Sequence, residues 1–324
     1  MKPIYPEKLN RGDHVMIIAP SYSHQKFVKK FEQLAQKKLE SLGLKTIWGK
    51  HLNTCDSFES SSIRNRVEDL HYAFSINQIK GIVTSIGGYN SNFLLKYLNW
   101  NLIKNNPKFF CGFSDITVLS NAIYKKTGLV TYSGPNFRNF AQKKYFDYTL
   151  DHFQKIAFSK KSIIIEPSEF WSDDKWTKDQ NKRKLIPNQG WLVINHGSFQ
   201  GKIIGGNLCS LNLLQGTPYF PNLTNSILLI EDDAISSAGE YSRNLQSLLH
   251  LPDFPKIKAL LLGRFQKKTK MSNKLLKILI NNLQELKNIP VIANLDFGHT
   301  DPKFTFPIGG LIKGSDKEIT IVKH

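Results

Sequence analysis

The segment Gly112-Phe113-Ser114-Asp115 places a serine between an apolar run and an amphipathic stretch that begins at Ile116. This pattern predicts a sharp turn from a strand into a helix, with the Ser114 hydroxyl projecting away from its own backbone as a nucleophile does. The amide of Asp115, at the start of the predicted helix, could face an oxyanion forming beside that hydroxyl. Ser114 or Asp115 could instead simply cap the helix, which is the commoner role of these residue types at such a position.

A pair of glycines, Gly87 and Gly88, follows a second predicted strand, Lys80 to Ile86. In a doubly wound sheet the loops after parallel strands gather at one edge, so this loop would share a crevice with Ser114. The backbone amides of Gly88 and Asp115 could then form a two-donor oxyanion hole. Glycines here also suit a tight turn, and a dinucleotide site is disfavoured because the spacing is not GxGxxG.

A serine nucleophile needs a general base, and the chain offers nine histidines for that role. His299 differs from the others because it follows the predicted strand Val291 to Ala293 and precedes a proline-bounded loop. At such a position the backbone holds the side chain in place and leaves it accessible. We therefore predict that His299 is the base, although a structural histidine is equally compatible with this position.

The base in turn needs an acceptor that orients it, and Glu231 is the predicted carboxylate. It ends the predicted strand Ser226 to Ile230, where a carboxylate can enter the site, whereas Asp232 and Asp233 more simply cap the following turn. The order Ser, Glu, His resembles that of α/β-hydrolases. The chain lacks their GxSxG motif, because Ile116 stands where the second glycine should be, so that fold is not predicted.

The elements that must hold these residues alternate between strands and helices over the first 140 residues. This alternation predicts an α/β fold with a doubly wound, mainly parallel sheet in an N-terminal domain, residues 1–140. The predicted strands are 13–20, 44–48, 81–86 and 109–112, and the predicted helices are 27–42, 63–74, 92–97 and 116–127.

The rest of the chain divides into a polar connector, residues 141–189, and a second, smaller α/β domain, residues 190–324. The connector contains a predicted helix, 145–158, and a loop with two tryptophans. The second domain contains predicted strands at 191–195, 201–204, 227–230, 259–262, 291–293 and 318–322 and predicted helices at 210–214, 239–249 and 273–286. Because Glu231 and His299 lie in this part, we expect the active site in a cleft between the two domains.

Composition indicates a globular protein without a disulfide framework or a zinc site. The 324 residues suit two domains or one large one, and 40% hydrophobic residues suffice for sizeable cores. Three cysteines without a CxxC pair fit neither disulfides nor zinc, so no metal is expected. The segment Met1 to Asn10 does not resemble a signal peptide and no apolar run could span a bilayer, which predicts a cytoplasmic protein without membrane contact.

The net charge of +18, from 44 basic and 26 acidic residues, would bias association toward anions, including nucleic acid. The lysines are nevertheless scattered along the chain. The one local cluster is Lys267, Lys268, Lys270, Lys274 and Lys277, and a solvated loop and helix face explains it. We therefore expect no stable complex with nucleic acid.

Seven segments in this order resemble one family, the serine peptidases that comprise the LD-carboxypeptidases and the microcin C self-immunity proteins. The segments are 18–21, 85–91, 112–117, 127–135, 205–211, 229–232 and 294–300. The resemblance covers nearly the whole chain and implies that Ser114 is the nucleophile, His299 the base and then the acid, and Glu231 the group that orients His299. It further implies acyl-enzyme hydrolysis without metal or organic cofactor, in a homodimer.

The substrate is predicted from a long insertion that carries Trp171 and Trp176, flanked by Asp173 and Asp174. It resembles the loop with which microcin C self-immunity proteins stack the nucleobase of an aminoacyl-nucleotide, and an indole face suits that task. Asn207, within the matched segments, is also predicted to bind substrate. A tryptophan pair could alternatively anchor an interface or pack the loop on its own domain.

The favoured function is thus a serine carboxypeptidase or amidase that cleaves an amide in a peptidyl- or aminoacyl-nucleotide. The nearest alternative is a muramoyltetrapeptide LD-carboxypeptidase, which removes the terminal D-alanine of a muropeptide. A noncatalytic protein that binds nucleotide or nucleic acid through its positive charge and the Gly87-Gly88 loop belongs to a different class. Phe113 departs from the resemblance, because the family often has tyrosine beside the nucleophile.

Overall fold

The computed structural model describes residues 2–324, which form two large sheets, a two-stranded ribbon and the helices that cover them. The strands are β1 (His14–Ile18), β2 (Lys45–Trp48), β3 (Ile79–Thr84), β4 (Phe109–Gly112), β5 (Thr131–Ser133), β6 (Ile163–Ile165), β7 (Phe170–Trp171), β8 (Ile186–Pro187), β9 (Leu192–Asn195), β10 (Phe199–Asn207), β11 (Ser226–Glu231), β12 (Ala259–Gly263), β13 (Val291–Leu295), β14 (Phe306–Ile308), β15 (Leu311–Gly314) and β16 (Ile319–Lys323).

The α-helices alternate with the strands over much of the chain, as in other α/β proteins. They are α1 (Lys29–Ser41), α2 (Ile63–Ser75), α3 (Trp100–Asn105), α4 (Thr117–Thr127), α5 (Asp147–Phe158), α6 (Leu208–Asn212), α7 (Ala238–Leu249) and α8 (Asn273–Asn282). Short 3₁₀ helices cover Ser91–Leu94, Ser114–Ile116, Phe137–Ala141, Phe254–Lys256, Lys267–Thr269 and Gln284–Leu286. No helix within residues 2–324 is long and apolar enough to cross a membrane.

The first sheet has the strand order β14-β5-β4-β3-β1-β2. Its five N-terminal strands are parallel, which confirms the predicted doubly wound, mainly parallel architecture. Strand β14, from near the end of the chain, adds an antiparallel edge by pairing with β5. Neither β5 nor β14 was predicted, because three-residue strands carry too little periodicity to be recognised.

The second sheet has the strand order β6-β16-β15-β10-β11-β12-β13-β9. Strands β10 to β13 form its parallel centre, and antiparallel strands flank them on both sides. Every residue of β11 and β12 is buried, which is the pattern of parallel strands covered on both faces. Both strands are mainly apolar because both faces of the sheet are covered. A carboxylate, that of Glu231, ends β11.

Local sequence signals explain where the helices begin and end. Helix α7 starts in a capping box, in which Ser237 accepts from the amide of Glu240 and the Glu240 carboxylate accepts from the amide of Ser237. Helix α4 is capped at its C-terminus by Gly128, whose φ of 82° is left-handed and whose amide donates to the carbonyl of Tyr124. Both boundaries agree with the sequence prediction to within a residue.

Helix α4 joins the two sheets, because it follows β4 of the first sheet and packs on β10 of the second. Residues 117–123 of this helix are all buried, as expected for a helix enclosed on every side. The Asn121 amide donates to the carbonyl of Gly205, and the Thr117 hydroxyl accepts from the amide of Asn207, at 2.8 and 2.9 Å. The first residues after Ser114 are thereby fixed to the second sheet.

Gly206 marks the closest approach at this interface. Its φ is 120°, and a Cβ atom placed there would lie 2.3 Å from the Thr117 hydroxyl oxygen. We expect Gly206→Ala to lower the free energy of unfolding by about 3 kcal/mol, the sum of about 1 for left-handed backbone and about 2 for overpacking. Urea denaturation measures the change.

Gly216→Ala is the matched control, because Gly216 also has a positive φ, 71°, but open space around its Cα. It should cost about 1 kcal/mol for the backbone alone. Equal losses in the two variants would show that the α4–β10 contact is not tightly packed.

Candidate active site

Ser114 occupies the predicted turn at the carboxyl end of β4. Phe113 is extended, Ser114 has a left-handed φ of 67°, and the 3₁₀ turn Ser114–Ile116 leads directly into α4. A left-handed conformation is unfavourable for a residue with a Cβ atom and persists only where the surroundings impose it. The turn therefore presents the hydroxyl at the sheet edge in a fixed, strained geometry.

Asn136 is one of the groups that impose this geometry, and the sequence analysis did not select it. Its side-chain oxygen accepts from the Thr84 hydroxyl at 2.6 Å and from the amide of Phe113 at 3.3 Å. Gly112 leaves room for this contact, since a Cβ atom at that position would lie 2.2 Å from the Thr84 hydroxyl oxygen. The segment Gly134-Pro135-Asn136 after a buried strand is the one sequence signal that could have indicated this role.

The Gly87-Gly88 loop lies against the nucleophile turn, as its position after β3 predicts. A Cβ atom on Gly87 would lie 2.8 Å from the Ser114 Cβ and 2.9 Å from the Ser114 hydroxyl oxygen, so only glycine fits there. Gly88 has a φ of 157° and, like Gly87, lines the same cleft as Ser114. The loop is therefore adjacent to the hydroxyl without any side chain in between.

The Asp115 carboxylate is buried and holds the neighbouring loops together. It accepts from the Ser21 hydroxyl at 2.5 Å and from the amide of Ser91 at 2.9 Å, while the Asp115 carbonyl accepts from the Ser91 hydroxyl at 2.8 Å. These bonds connect the loops after β1, β3 and β4. The side chain of Asp115 is thus a structural anchor, and any oxyanion contact must come from its backbone amide.

Glu231, the last residue of β11, is buried at the carboxyl end of that strand. A Cβ atom on Gly298 would lie 2.5 Å from the Glu231 Oε2 atom, and one on Gly263 would lie 2.7 Å from the Glu231 Cβ. Gly298 also has a left-handed φ of 94°. Glycine at these positions allows the loop after β13 to close directly over the carboxylate.

His299 bridges Glu231 and Ser114, although the two partners belong to different sheets. Its Nδ1 atom lies 2.7 Å from the Glu231 Oε2 atom, and its Nε2 atom lies 3.1 Å from the Ser114 hydroxyl oxygen. With the proton on Nδ1, the ring donates to Glu231 and its Nε2 accepts from the hydroxyl. This is the arrangement by which an imidazole removes a proton from a serine.

Two carboxylates control the charge of His299. Burial alone lowers the pKa of the imidazole, but Glu231 and then Asp233, whose Oδ2 atom lies 3.9 Å from Nε2, outweigh it. The pKa of His299 is therefore raised above its ordinary value of 6.5. The ring loses its charge only as the pH rises through that raised pKa.

The cleft that Ser114 and His299 line has a volume of about 470 Å³. Residues from both sheets and from the tryptophan-containing segment line it. Among residues 2–324 there is no group of three or more His, Cys, Asp or Glu side chains that could hold a metal ion.

The structure separates the two tryptophans of the insertion. Trp176 lines the cleft and is 8% exposed, with its ring edge-to-face on Phe31 at 5.6 Å between centroids. Trp171 belongs to the β7–β8 ribbon, outside the lining of the cleft, where Arg264 and Lys267 lie over its ring at 5.1 and 5.6 Å. The sequence suggested no such difference between them.

Asn207 is buried at the start of α6 and does not line the cleft. Its side-chain oxygen accepts from the amide of Ser210 at 3.0 Å, and its Nδ2 atom donates to Asp232 at 3.3 Å. The structure thus gives Asn207 a capping role at the edge of the site.

The tryptophan-containing segment is attached to the loop that carries His299. Ser172 and Asp301 exchange two backbone hydrogen bonds of 2.8 Å, and the Asp301 carboxylate accepts from Arg183 at 2.9 Å. A second link runs from the Asp296 carboxylate to the amide of Ser168 at 2.8 Å. Asp301 and Arg183 were not predicted, because 118 residues separate them in the chain and neither stands in a recognisable motif.

Comparison with known proteins shows similarity over most of the chain. Residues 15–134 match the LD-carboxypeptidase N-terminal domain, and residues 200–313 match the LD-carboxypeptidase C-terminal domain. The carboxypeptidase-like protein YocD of Bacillus subtilis is 50% identical over 99% of this chain and 100% of its own length.

Two solved structures show how similar the folds are. An MccF-like protein from Bacillus anthracis has a TM-score of 0.97 and 47% identity, covering 99% of this chain and 100% of its own. The structure of MccF in complex with glutamyl sulfamoyl guanosine has a TM-score of 0.90 and 29% identity, covering 99% of both chains.

The contacts of His299 predict its titration. The pKa of His299 in the native protein should exceed 6.5. Glu231→Gln should lower this pKa, because the Glu231 carboxylate no longer opposes the lowering effect of burial. NMR titration of the histidine Cε1 protons measures both values. The buried His152, whose pKa burial lowers to about 4, should titrate identically in the two proteins. An unchanged His299 pKa would mean that Glu231 does not act on the ring.

Proposed function

The chain belongs to the LD-carboxypeptidase family and is a serine-type carboxypeptidase, and from this premise we propose that Ser114, His299 and Glu231 form its catalytic triad. The observation that supports the proposal is the continuous contact from Glu231 through His299 to Ser114, at 2.7 and 3.1 Å. A nucleophile, a base and an orienting acceptor in hydrogen-bond contact are what acyl transfer to serine requires.

In the first half of the reaction, the Ser114 oxygen attacks the substrate carbonyl while His299 Nε2 takes its proton. Glu231 stabilises the imidazolium through Nδ1, and the amides of Gly88 and Asp115 stabilise the oxyanion. Collapse of the tetrahedral intermediate breaks the amide bond, and His299 returns the proton to the leaving nitrogen. The products of this half are an acyl-Ser114 and a free amine.

In the second half, His299 removes a proton from water as the water oxygen attacks the acyl carbon. The tetrahedral intermediate collapses to a carboxylic acid, and the proton returns from His299 to Ser114.

Because both halves of the reaction need a neutral imidazole and the pKa of His299 is raised, kcat/KM should fall as the pH drops below that raised value.

We propose a peptidyl- or aminoacyl-nucleotide as the substrate, in a microcin C-like detoxification role. A related MccF structure holds glutamyl sulfamoyl guanosine, an aminoacyl-nucleotide analogue. In this chain, Trp176 brings an indole to the wall of the cleft, and an aromatic ring there can contact a base. Trp176, and not Trp171, is therefore the proposed contact for the nucleobase. Asn207 has a supporting role, because its side chain donates a hydrogen bond to Asp232.

We further propose that the protein acts in the cytoplasm as a homodimer. The cysteines Cys55, Cys111 and Cys209 are all free thiols, which suits a reducing compartment. The dimer rests on the family resemblance, and light scattering of the purified protein tests it.

Kinetics of triad variants test the mechanism. Ser114→Ala and His299→Ala should each remove nearly all turnover, and the double variant should be little slower than either, because the residues act as one unit. Glu231→Gln should fold and lose several orders of magnitude in kcat, because the imidazolium loses its compensating charge. Labelling by a fluorophosphonate should disappear in Ser114→Ala.

Losses that multiply in the double variant would argue against a triad. Wild-type rates in Glu231→Gln would leave Glu231 with a structural role only. Circular dichroism of each variant distinguishes lost chemistry from lost folding.

Substitution of the tryptophans tests the substrate. Trp176→Ala should raise KM about tenfold or more for an aminoacyl sulfamoyl nucleotide, because stacking on an aromatic ring contributes about 1–3 kcal/mol per base. Trp171→Ala is the matched control and should leave KM within about twofold, since this ring lies outside the cleft lining. Parallel assays use the nucleotidyl substrate and a muropeptide tetrapeptide. Efficient turnover of the tetrapeptide alone would replace the nucleotide proposal with the muropeptide alternative.

A further inference from the structure

Arg138 lines the catalytic cleft without an anionic partner. Within residues 2–324, no carboxylate lies within 4.0 Å of its guanidinium and no acceptor receives a hydrogen bond from it. The three buried arginines of the chain differ from it, because each donates to a side-chain acceptor: Arg66 to Asn90, Arg183 to Asp301 and Arg264 to Asp296. Arg138 is thus a partly exposed cation at the site with no partner among the described residues.

The surroundings of Arg138 hold its guanidinium in place. The central carbon lies 5.6 Å from the ring centroid of Phe27 and 5.9 Å from that of Trp176. The Arg138 amide donates to the carbonyl of Ser85, and the 3₁₀ helix Phe137–Ala141 is capped by Asn136, the residue that also binds the nucleophile turn. Aromatic contacts fix a guanidinium while leaving its N–H groups free to donate.

Four other charged side chains of the cleft contact a group that can carry the opposite charge, whereas Asp174 and the exposed Lys175 form no ion pair within residues 2–324. Asp173 binds Lys267, Asp301 binds Arg183 and Lys303, and Asp233 faces His299. Burial lowers the pKa of Arg138, and no carboxylate acts in the opposite direction. A guanidinium nevertheless keeps its charge, and a partly buried charge is costly unless it is paired. A ligand can supply the pairing that the protein does not.

Arg138 also stands where two cavities meet. A side pocket of about 240 Å³ shares Tyr22, Ile86 and Arg138 with the catalytic cleft and continues toward Phe27 and Ser85. A group bound in either cavity can therefore contact the guanidinium. The N–H groups of an arginine match two oxygens of one carboxylate or phosphate at once.

We propose that Arg138 binds an oxyanion of the substrate. The oxyanion is either the phosphate, or the sulfonyl group that replaces it, of a nucleotidyl substrate, or the terminal carboxylate of a peptide substrate. The proposal rests on the proposed function, since it assumes a substrate in this cleft, and it adds a specificity-determining residue that does not take part in proton transfer.

Calorimetric titrations test this with the inactive Ser114→Ala protein, alone and combined with Arg138→Met. The ligands are two matched pairs: AMP and adenosine, and the dipeptide L-lysyl-D-alanine and its C-terminal amide. Arg138→Met should reduce the preference for the anionic member of one pair about 10- to 100-fold, the effect of a charge-assisted hydrogen bond. Arg138→Lys should restore part of that preference. Lys175→Gln, which removes an exposed cation of the same cleft, should change it less.

The pair that responds identifies the source of the oxyanion. If adenosine does not bind but the peptide pair depends on Arg138, the nucleotide proposal fails and the proposal for Arg138 stands. If Arg138→Met weakens both members of each pair equally, the residue only supports Trp176 and the proposal is wrong. An unchanged preference in both pairs, or no binding of any of the four ligands, would also overturn it.

Discussion

The packing of helix α4 against strand β10 is the constraint on which the rest of the site depends. Ser114 precedes α4 and belongs to the first sheet, whereas Glu231 and His299 belong to the second. A hydrogen bond tolerates only a few tenths of an ångström of displacement, so the two sheets must meet in one fixed position. Gly206 and the hydrogen bond between Thr117 and Asn207 provide that position just beyond the nucleophile turn.

Close approach of backbone to side chain recurs throughout the site. Gly87 lies against Ser114, and Gly298 lies against Glu231, at distances that exclude any Cβ atom. Ser114 itself remains in a left-handed conformation. The strain is local, and it is maintained by Asn136 and by the buried carboxylate of Asp115. Pre-organisation of this kind limits the rearrangement needed when charge develops in the reaction.

Charged side chains lie on both sides of the cleft. On the side of the base, Glu231 and Asp233 raise the pKa of His299. On the side of Trp176, the unpaired Arg138 provides a positive group. The same Asp301 that pairs with Arg183 also bonds the backbone of Ser172, so the tryptophan-containing segment and the His299 loop are held together. In the proposal for Arg138, binding of a substrate anion and alignment of the base are adjacent but separate tasks.

The sequence by itself determined the features that depend on neighbouring residues. The alternation of strands and helices, the turn at Ser114, the glycine pair before it, and the strand-end positions of Glu231 and His299 all follow from local patterns. Only the tertiary structure decided which distant residues meet. It placed Trp176 in the cleft and Trp171 outside it, buried Asn207 as a cap, paired β14 with β5, and left Arg138 without a carboxylate. Periodicity reports which face of an element is buried, but not what lies against it, because contacts between residues far apart in the chain depend on how whole elements pack.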